Sequence, residues 1–91
     1  MARLEGTEID VHLKALSGWA LKENAIEKTY RFDDFAQSMR FVNRVAALAE
    51  AADHHPDILV KYDHVTLTLT SHDSGGLTSR DFRLATQIDA G

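Results

Sequence analysis

Glu50-Ala51-Ala52-Asp53-His54-His55-Pro56 leads directly into Asp57-Ile58-Leu59-Val60-Lys61-Tyr62-Asp63-His64-Val65-Thr66-Leu67-Thr68-Leu69-Thr70, and the apolar period changes between the two runs. Upstream, Phe35, Met39, Val42, Ala46 and Ala49 recur at helical spacing, while Phe41, Val45, Leu48 and Ala52 widen the apolar arc to about half the circumference. Pro56 disfavours helical geometry in the residue before it, so that helix must stop near His55. Downstream the period is two. Ile58, Val60 and Tyr62 alternate with Asp57, Leu59 and Lys61; beyond a turn near Asp63, Val65, Leu67 and Leu69 alternate with His64, Thr66, Thr68 and Thr70. The stretch predicts a long helix that delivers two adjacent histidines to the start of a β-hairpin.

Working towards the N-terminus, Asp33 or Asp34 is placed to cap the long helix. Ile26 to Phe32 is β-branched and aromatic, and reads as a strand paired with Gly18 to Leu21 across the polar Lys22-Glu23-Asn24 turn. Thr7, with Asp10 three residues on, predicts the cap of a first helix carrying Ile9, Leu13 and Leu16, with Gly18 at a helix-stopping position. Towards the C-terminus, Ser71 to Gly76 reads as a loop. Thr78 and Asp81 repeat the T-x-x-D pattern before a final helix with Phe82, Leu84, Ala85 and Ile88. The expected order is α-β-β-α-β-β-α. Strands segregated into hairpins imply an α+β fold, a four-stranded antiparallel sheet with helices on one face, in a single domain over residues 1–91.

Composition narrows the function classes. A net charge of −4 argues against binding to a phosphate backbone, which depends on clustered Lys and Arg. Without cysteine there is no disulfide, thiolate nucleophile or cysteine-ligated zinc. No apolar run approaches the roughly 20 residues of a membrane span, and Met1-Ala2-Arg3-Leu4-Glu5-Gly6 lacks a signal-like stretch, so a cytoplasmic protein without membrane or direct nucleic-acid partners is expected. At 91 residues the core is modest, and a homodimer or homotetramer is the expected assembly.

Three of the five histidines, His54, His55 and His72, fall at element ends, beside the carboxylates Glu50, Asp53, Asp73 and Asp81. An imidazole needs little tuning to give and take protons near neutral pH, and a neighbouring carboxylate orients it. The same placements also suit structural roles. His54 and His55 fit a helix C-terminus, where the dipole favours a cationic imidazole, and Asp81 fits a capping box. Trp19 reads as core, His12 and His64 as ordinary surface or strand residues, and Gly75-Gly76 as a turn with no lysine at phosphate-loop spacing. A shared metal is disfavoured, because adjacent helical residues diverge by about 100° and no H-E-x-x-H is present.

Glu50-x-x-x-His54-His55-Pro56, then Tyr62, then His72 after the hairpin and Asp81 in the last helix, resemble the signature of the pterin-4a-carbinolamine dehydratases. Gly18-Trp19, Phe32-Asp33-Asp34-Phe35, Arg44-Val45-Ala46 and Gly76 to Asp81 extend the likeness over the chain from about Gly18 to Asp89. The resemblance implies a lyase that removes water from a 4a-hydroxytetrahydropterin with no cofactor and no metal, in tetrahydrobiopterin recycling or related pterin metabolism. It implies a catalytic trio, His54, His55 and His72, with Asp53, Thr70, Ser71 and Asp73 also contacting substrate and with Glu50, Trp19, Arg80 and Asp81 in support. Within the trio, His54 and His72 are expected to exchange the proton roles while His55 orients the ring. Some members of the family are also dimerisation cofactors of transcription factors, which supplies the alternative of a protein-interaction module.

Overall fold

Val65, Leu67 and Leu69 are buried while Thr66 and Thr68 between them are only half-buried, the one-sided pattern of a strand with a single covered face. The computed structural model describes residues 2–91. Its elements are α1 (Gly6–Lys14), β1 (Ala20–Lys22), β2 (Ala25–Arg31), α2 (Phe35–Ala52), β3 (Asp57–Lys61), β4 (His64–Leu69), a 3₁₀ turn (His72–Ser74) and α3 (Ser79–Ala90), in the order read from the sequence. The four strands form one antiparallel sheet, ordered β1-β2-β4-β3. Trp19, Ile26, Phe41, Val45, Leu77, Phe82, Leu84, Ala85 and Ile88 close over the buried β4 side chains as one cluster. The opposite sheet face carries Thr29 and Thr66, hydrogen-bonded at 2.8 Å.

Several boundaries differ from the expectation. Helix α1 starts at Gly6, because extended Glu5 is the N-cap and the Glu8 carboxylate accepts its backbone N–H at 3.0 Å; Thr7 lies within the first turn. The same helix ends at Lys14, so Leu16 packs on the core from the following loop. Gly18 sits in that loop at φ +84°, where a Cβ would meet Lys28 Cε at 3.1 Å as Lys28 Nζ donates to Ser17 O at 2.8 Å. β1 is Ala20–Lys22 rather than Gly18 to Leu21, and its tight turn is Glu23-Asn24. β3 ends at Lys61, with Tyr62 at φ +46° in the hairpin turn. Of the two candidate caps of α2, Asp34 takes the role, accepting from Gln37 N at 2.9 Å.

Candidate functional site

The end of α2 sets the geometry of the histidine pair. The helix stops at Ala52, three residues before His55, in a Schellman arrangement: Asp53 adopts the left-handed conformation at φ +49°, its N–H donates to Glu50 O at 3.3 Å, and the His54 N–H donates to Ala49 O at 3.1 Å. The chain turns back on itself, and the two imidazoles part. His54 goes inward and is 8% exposed, whereas His55 stays at the surface.

His54 meets a buried carboxylate. Its Nε2 donates to Asp81 Oδ1 at 2.6 Å, and Asp81 is fully buried. The other oxygen of Asp81 accepts from Ser71 Oγ at 2.9 Å and from the Thr78 N–H at 2.9 Å, the latter completing the expected capping box of α3. Ser71 Oγ also pairs with Thr78 Oγ1 at 2.8 Å. One carboxylate thus holds His54, the start of α3, and the residue immediately before His72. Since a carboxylate accepts, Nε2 carries the shared proton and Nδ1 is the nitrogen left to a ligand. His55 Nε2 pairs with Glu50 Oε2 at 2.5 Å on the exposed side.

His72 opens the 3₁₀ turn and is exposed. Its loop is closed by Ser71 and Gly76, which bond each other in both directions at 3.2 and 3.3 Å, and by left-handed Gly75 at φ +73°. Arg80 braces the loop from α3, reaching Asp73 Oδ1 at 2.7 Å and Ser74 Oγ at 3.3 Å. This contact with Arg80 holds the Asp73 carboxyl below its ordinary range.

Two hollows of about 380 Å³ adjoin these histidines. His72 lines one with Thr70, Asp57, Lys22 and Asn24; His54 lines the other with Arg80, Arg83, Leu48 and Gln87. The structure therefore joins His54, Ser71 and Asp81, joins His55 with Glu50 and Asp73 with Arg80, and sets Thr70 beside His72. It does not bring His54 and His72 onto one hollow, because the His54 ring turns towards Asp81. The Ser71 hydroxyl, 1% exposed, is taken up by Thr78 and Asp81. Trp19 is buried, and its Nε1 donates to Asp89 at 2.9 Å. Asp57 carries no signal beyond its place in the strand alternation; its position beside His72 follows from the β3–β4 register, and Thr70 Oγ1 donating to Asn24 O at 2.6 Å brings in the first hairpin turn. His12, read as an ordinary surface residue, stacks on Phe82 with ring centroids 4.8 Å apart. Among the described residues no group of three or more metal-ligating side chains comes together, and no helix is long and apolar enough to cross a membrane.

The chain is similar to known proteins over most of its length. The chain is 52% identical over 86 residues to a protein of Koribacter versatilis, covering 94% of this chain and 92% of that one. It is 53% identical over 87 residues to one of Roseiflexus sp., covering 96% and 94%. Both bear the provisional name pterin-4-alpha-carbinolamine dehydratase. A crystal structure from Brucella melitensis, described as a transcriptional coactivator/pterin dehydratase, superposes with a TM-score of 0.93 at 34% identity over 97% of this chain and 96% of that one. A pterin dehydratase-like RuBisCO assembly factor of the alpha-carboxysome superposes at 0.66, with 27% identity over 79% and 83%. With residues 2–91 also matching the family profile, the chain belongs to the pterin 4 alpha carbinolamine dehydratase family.

Proposed function

We propose that this protein is a hydro-lyase that dehydrates a 4a-hydroxytetrahydropterin to the quinonoid dihydropterin. The observation that carries the reading is the buried Asp81 carboxylate, whose two oxygens fix His54 and the residue before His72 and so tie together the elements that carry the two imidazoles; since these line separate hollows, the reading requires one pterin to reach both. The reaction needs one base and one acid. The N5–H proton is removed, the C4a hydroxyl is protonated and departs as water, and the N5 electron pair closes the C4a=N5 double bond. His54, with Nε2 committed to Asp81, offers Nδ1 as the base, and exposed His72 serves as the acid; microscopic reversibility lets the pair exchange roles. His55, steadied by Glu50, orients the ring, with Asp53, Thr70 and Asp73 as further contacts. Ser71 acts through Asp81 rather than by touching substrate, since its hydroxyl is buried and engaged.

Each proton transfer of this kind is worth about 10²–10⁴ in rate. H54A and H72A should each lower kcat by at least about tenfold while near- and far-UV spectra stay native. Near-normal turnover in both folded variants would refute the assignment.

A second role draws on α2. The helix buries Ser38, Phe41, Val45 and Ala49 against the sheet, while Phe35, 49% exposed, and exposed Ala46 lie on a second stripe at helical spacing with half-buried Met39 and Val42, the latter also packing on the core. A second copy of the chain covers this stripe, giving a homodimer or, if two such pairs associate, a homotetramer in the cytoplasm. The Brucella relative is described as a coactivator, and the same stripe is where a transcription-factor partner would dock in place of a second copy.

A further inference from the structure

At the other end of α2 lies a cleft of about 900 Å³ that the dehydratase chemistry does not use. Arg44, on its rim, precedes Ala52, the last residue of α2, by eight residues, about 12 Å at 1.5 Å per helical residue. One wall is aromatic. Tyr30 and Phe41 touch with centroids 4.5 Å apart, and Phe41 and Phe32 with centroids 5.1 Å apart, giving a continuous surface of three rings. Asp89 also lines the cleft, accepting from Trp19 Nε1 at 2.9 Å, Lys28 Nζ at 3.0 Å and Tyr30 Oη at 2.5 Å, so this acid is satisfied and its charge is met by Lys28.

The rim is cationic. Arg40 and Arg44 both line the cleft, and among the described residues neither is ion-paired to a carboxylate. Arg44 is fixed in place, donating to Ile88 O at 2.6 Å with its guanidinium 5.6 Å above the Phe41 ring. Arg40 and Arg44 carry no carboxylate ion pair among the described residues, and the acid that shares the cleft, Asp89, is engaged by Lys28, so in a chain of net charge −4 the two guanidinium groups form a local field that attracts a negative group. An arginine fork suits a carboxylate, and an apolar wall of rings tilted 40° and 39° to their neighbours suits an aromatic ring placed edge-on or offset. We propose that this cleft is a binding site for a small aromatic carboxylate, separate from the histidine site, with the carboxylate on Arg40 and Arg44 and the ring against Phe32 and Phe41.

The test is titration of the protein, in its native assembly, with 2-naphthoate, followed by two-dimensional amide NMR and by isothermal calorimetry, against neutral 2-naphthalenemethanol. The proposal expects saturable 2-naphthoate binding that shifts the amides of Phe32, Phe41 and Arg44 and leaves those of His54 and His72 in place. It expects the neutral analogue to bind at least about tenfold more weakly, given the strength of charge-assisted hydrogen bonds. R40Q should weaken 2-naphthoate about fivefold without touching the Arg44 bond to Ile88, and H72A should leave it unchanged. Equal affinity for acid and alcohol, unchanged affinity in R40Q, shifts centred on the histidines, or no saturable binding would each overturn it.

Discussion

Asp81 has two structural duties that a single carboxylate rarely combines, capping α3 and anchoring a histidine from another element. Replacing it with alanine removes the acceptor from His54 Nε2, Ser71 Oγ and the Thr78 N–H at once. Each buried donor left unmet costs about 1–3 kcal/mol, so D81A should lose about 3 kcal/mol in urea denaturation; a loss below about 1 kcal/mol would contradict the described network. Asp89 is the corresponding hub at the far end. Partial burial pushes its pKa up, but the donors Tyr30, Trp19 and Lys28 outweigh that and hold it below the ordinary range. Burial and then the bond and charge of Asp89 push the Tyr30 hydroxyl up. Because the folded protein binds the Asp89 proton less readily than the unfolded chain does, the stabilisation is present above about pH 4 and fades as pH falls through the folded value. Urea midpoints at pH 7 and pH 3 should therefore drop further in the wild type than in D89N, and equal drops would show that Asp89 contributes nothing to acid sensitivity.

At the scale of elements, the helix end before His54 separates structure from chemistry. Asp53 occupies a left-handed position at φ +49°, which costs a non-glycine residue about 1 kcal/mol or more. D53G should thus match or exceed the wild type in stability by about 0.5–1 kcal/mol, yet lower turnover if the carboxylate touches substrate; a stabilised variant with unaltered kcat and KM would remove Asp53 from the site. Much of this level was legible in the chain itself. The alternation of Val65, Leu67 and Leu69, the proline after His55 and the T-x-x-D before α3 are local signals, and each corresponds to an observed element or cap. What was not legible depends on segments distant in sequence. His54 and Asp81 are 27 residues apart, Thr70 and Asn24 46, Trp19 and Asp89 70, and no local period announces such pairs. The misplaced start of α1 has a smaller cause: Thr7 and Glu5 both offer capping chemistry, and Glu8 favours the earlier one by reciprocating.

For the whole molecule, the sheet faces its helices on one side, and α2 presents apolar residues both inward and outward. Exposed Phe35 and Ala46, with half-buried Met39 and Val42 between them, form the surface that assembly is proposed to cover. Light scattering after size exclusion should give a mass above that of one chain at micromolar concentration. A46E, placing a charge at the C-terminal end of the stripe, should shift the protein towards monomer while circular dichroism stays native; a wild type that is already monomeric would refute this use of the helix. The histidine site and the aromatic cleft lie towards opposite ends of the same helix, so assembly, acid–base chemistry and any anion bound at Arg40 and Arg44 share one rigid element.

The account rests most heavily on the dehydratase reading, and its most direct measurement is the rate at which purified protein, with a chelator present, converts enzymatically generated 4a-hydroxytetrahydropterin to the quinonoid dihydropterin. The account predicts acceleration over the uncatalysed rate that is proportional to protein concentration and indifferent to the chelator. No acceleration by well-folded protein, or activity abolished by removing metal, would contradict it.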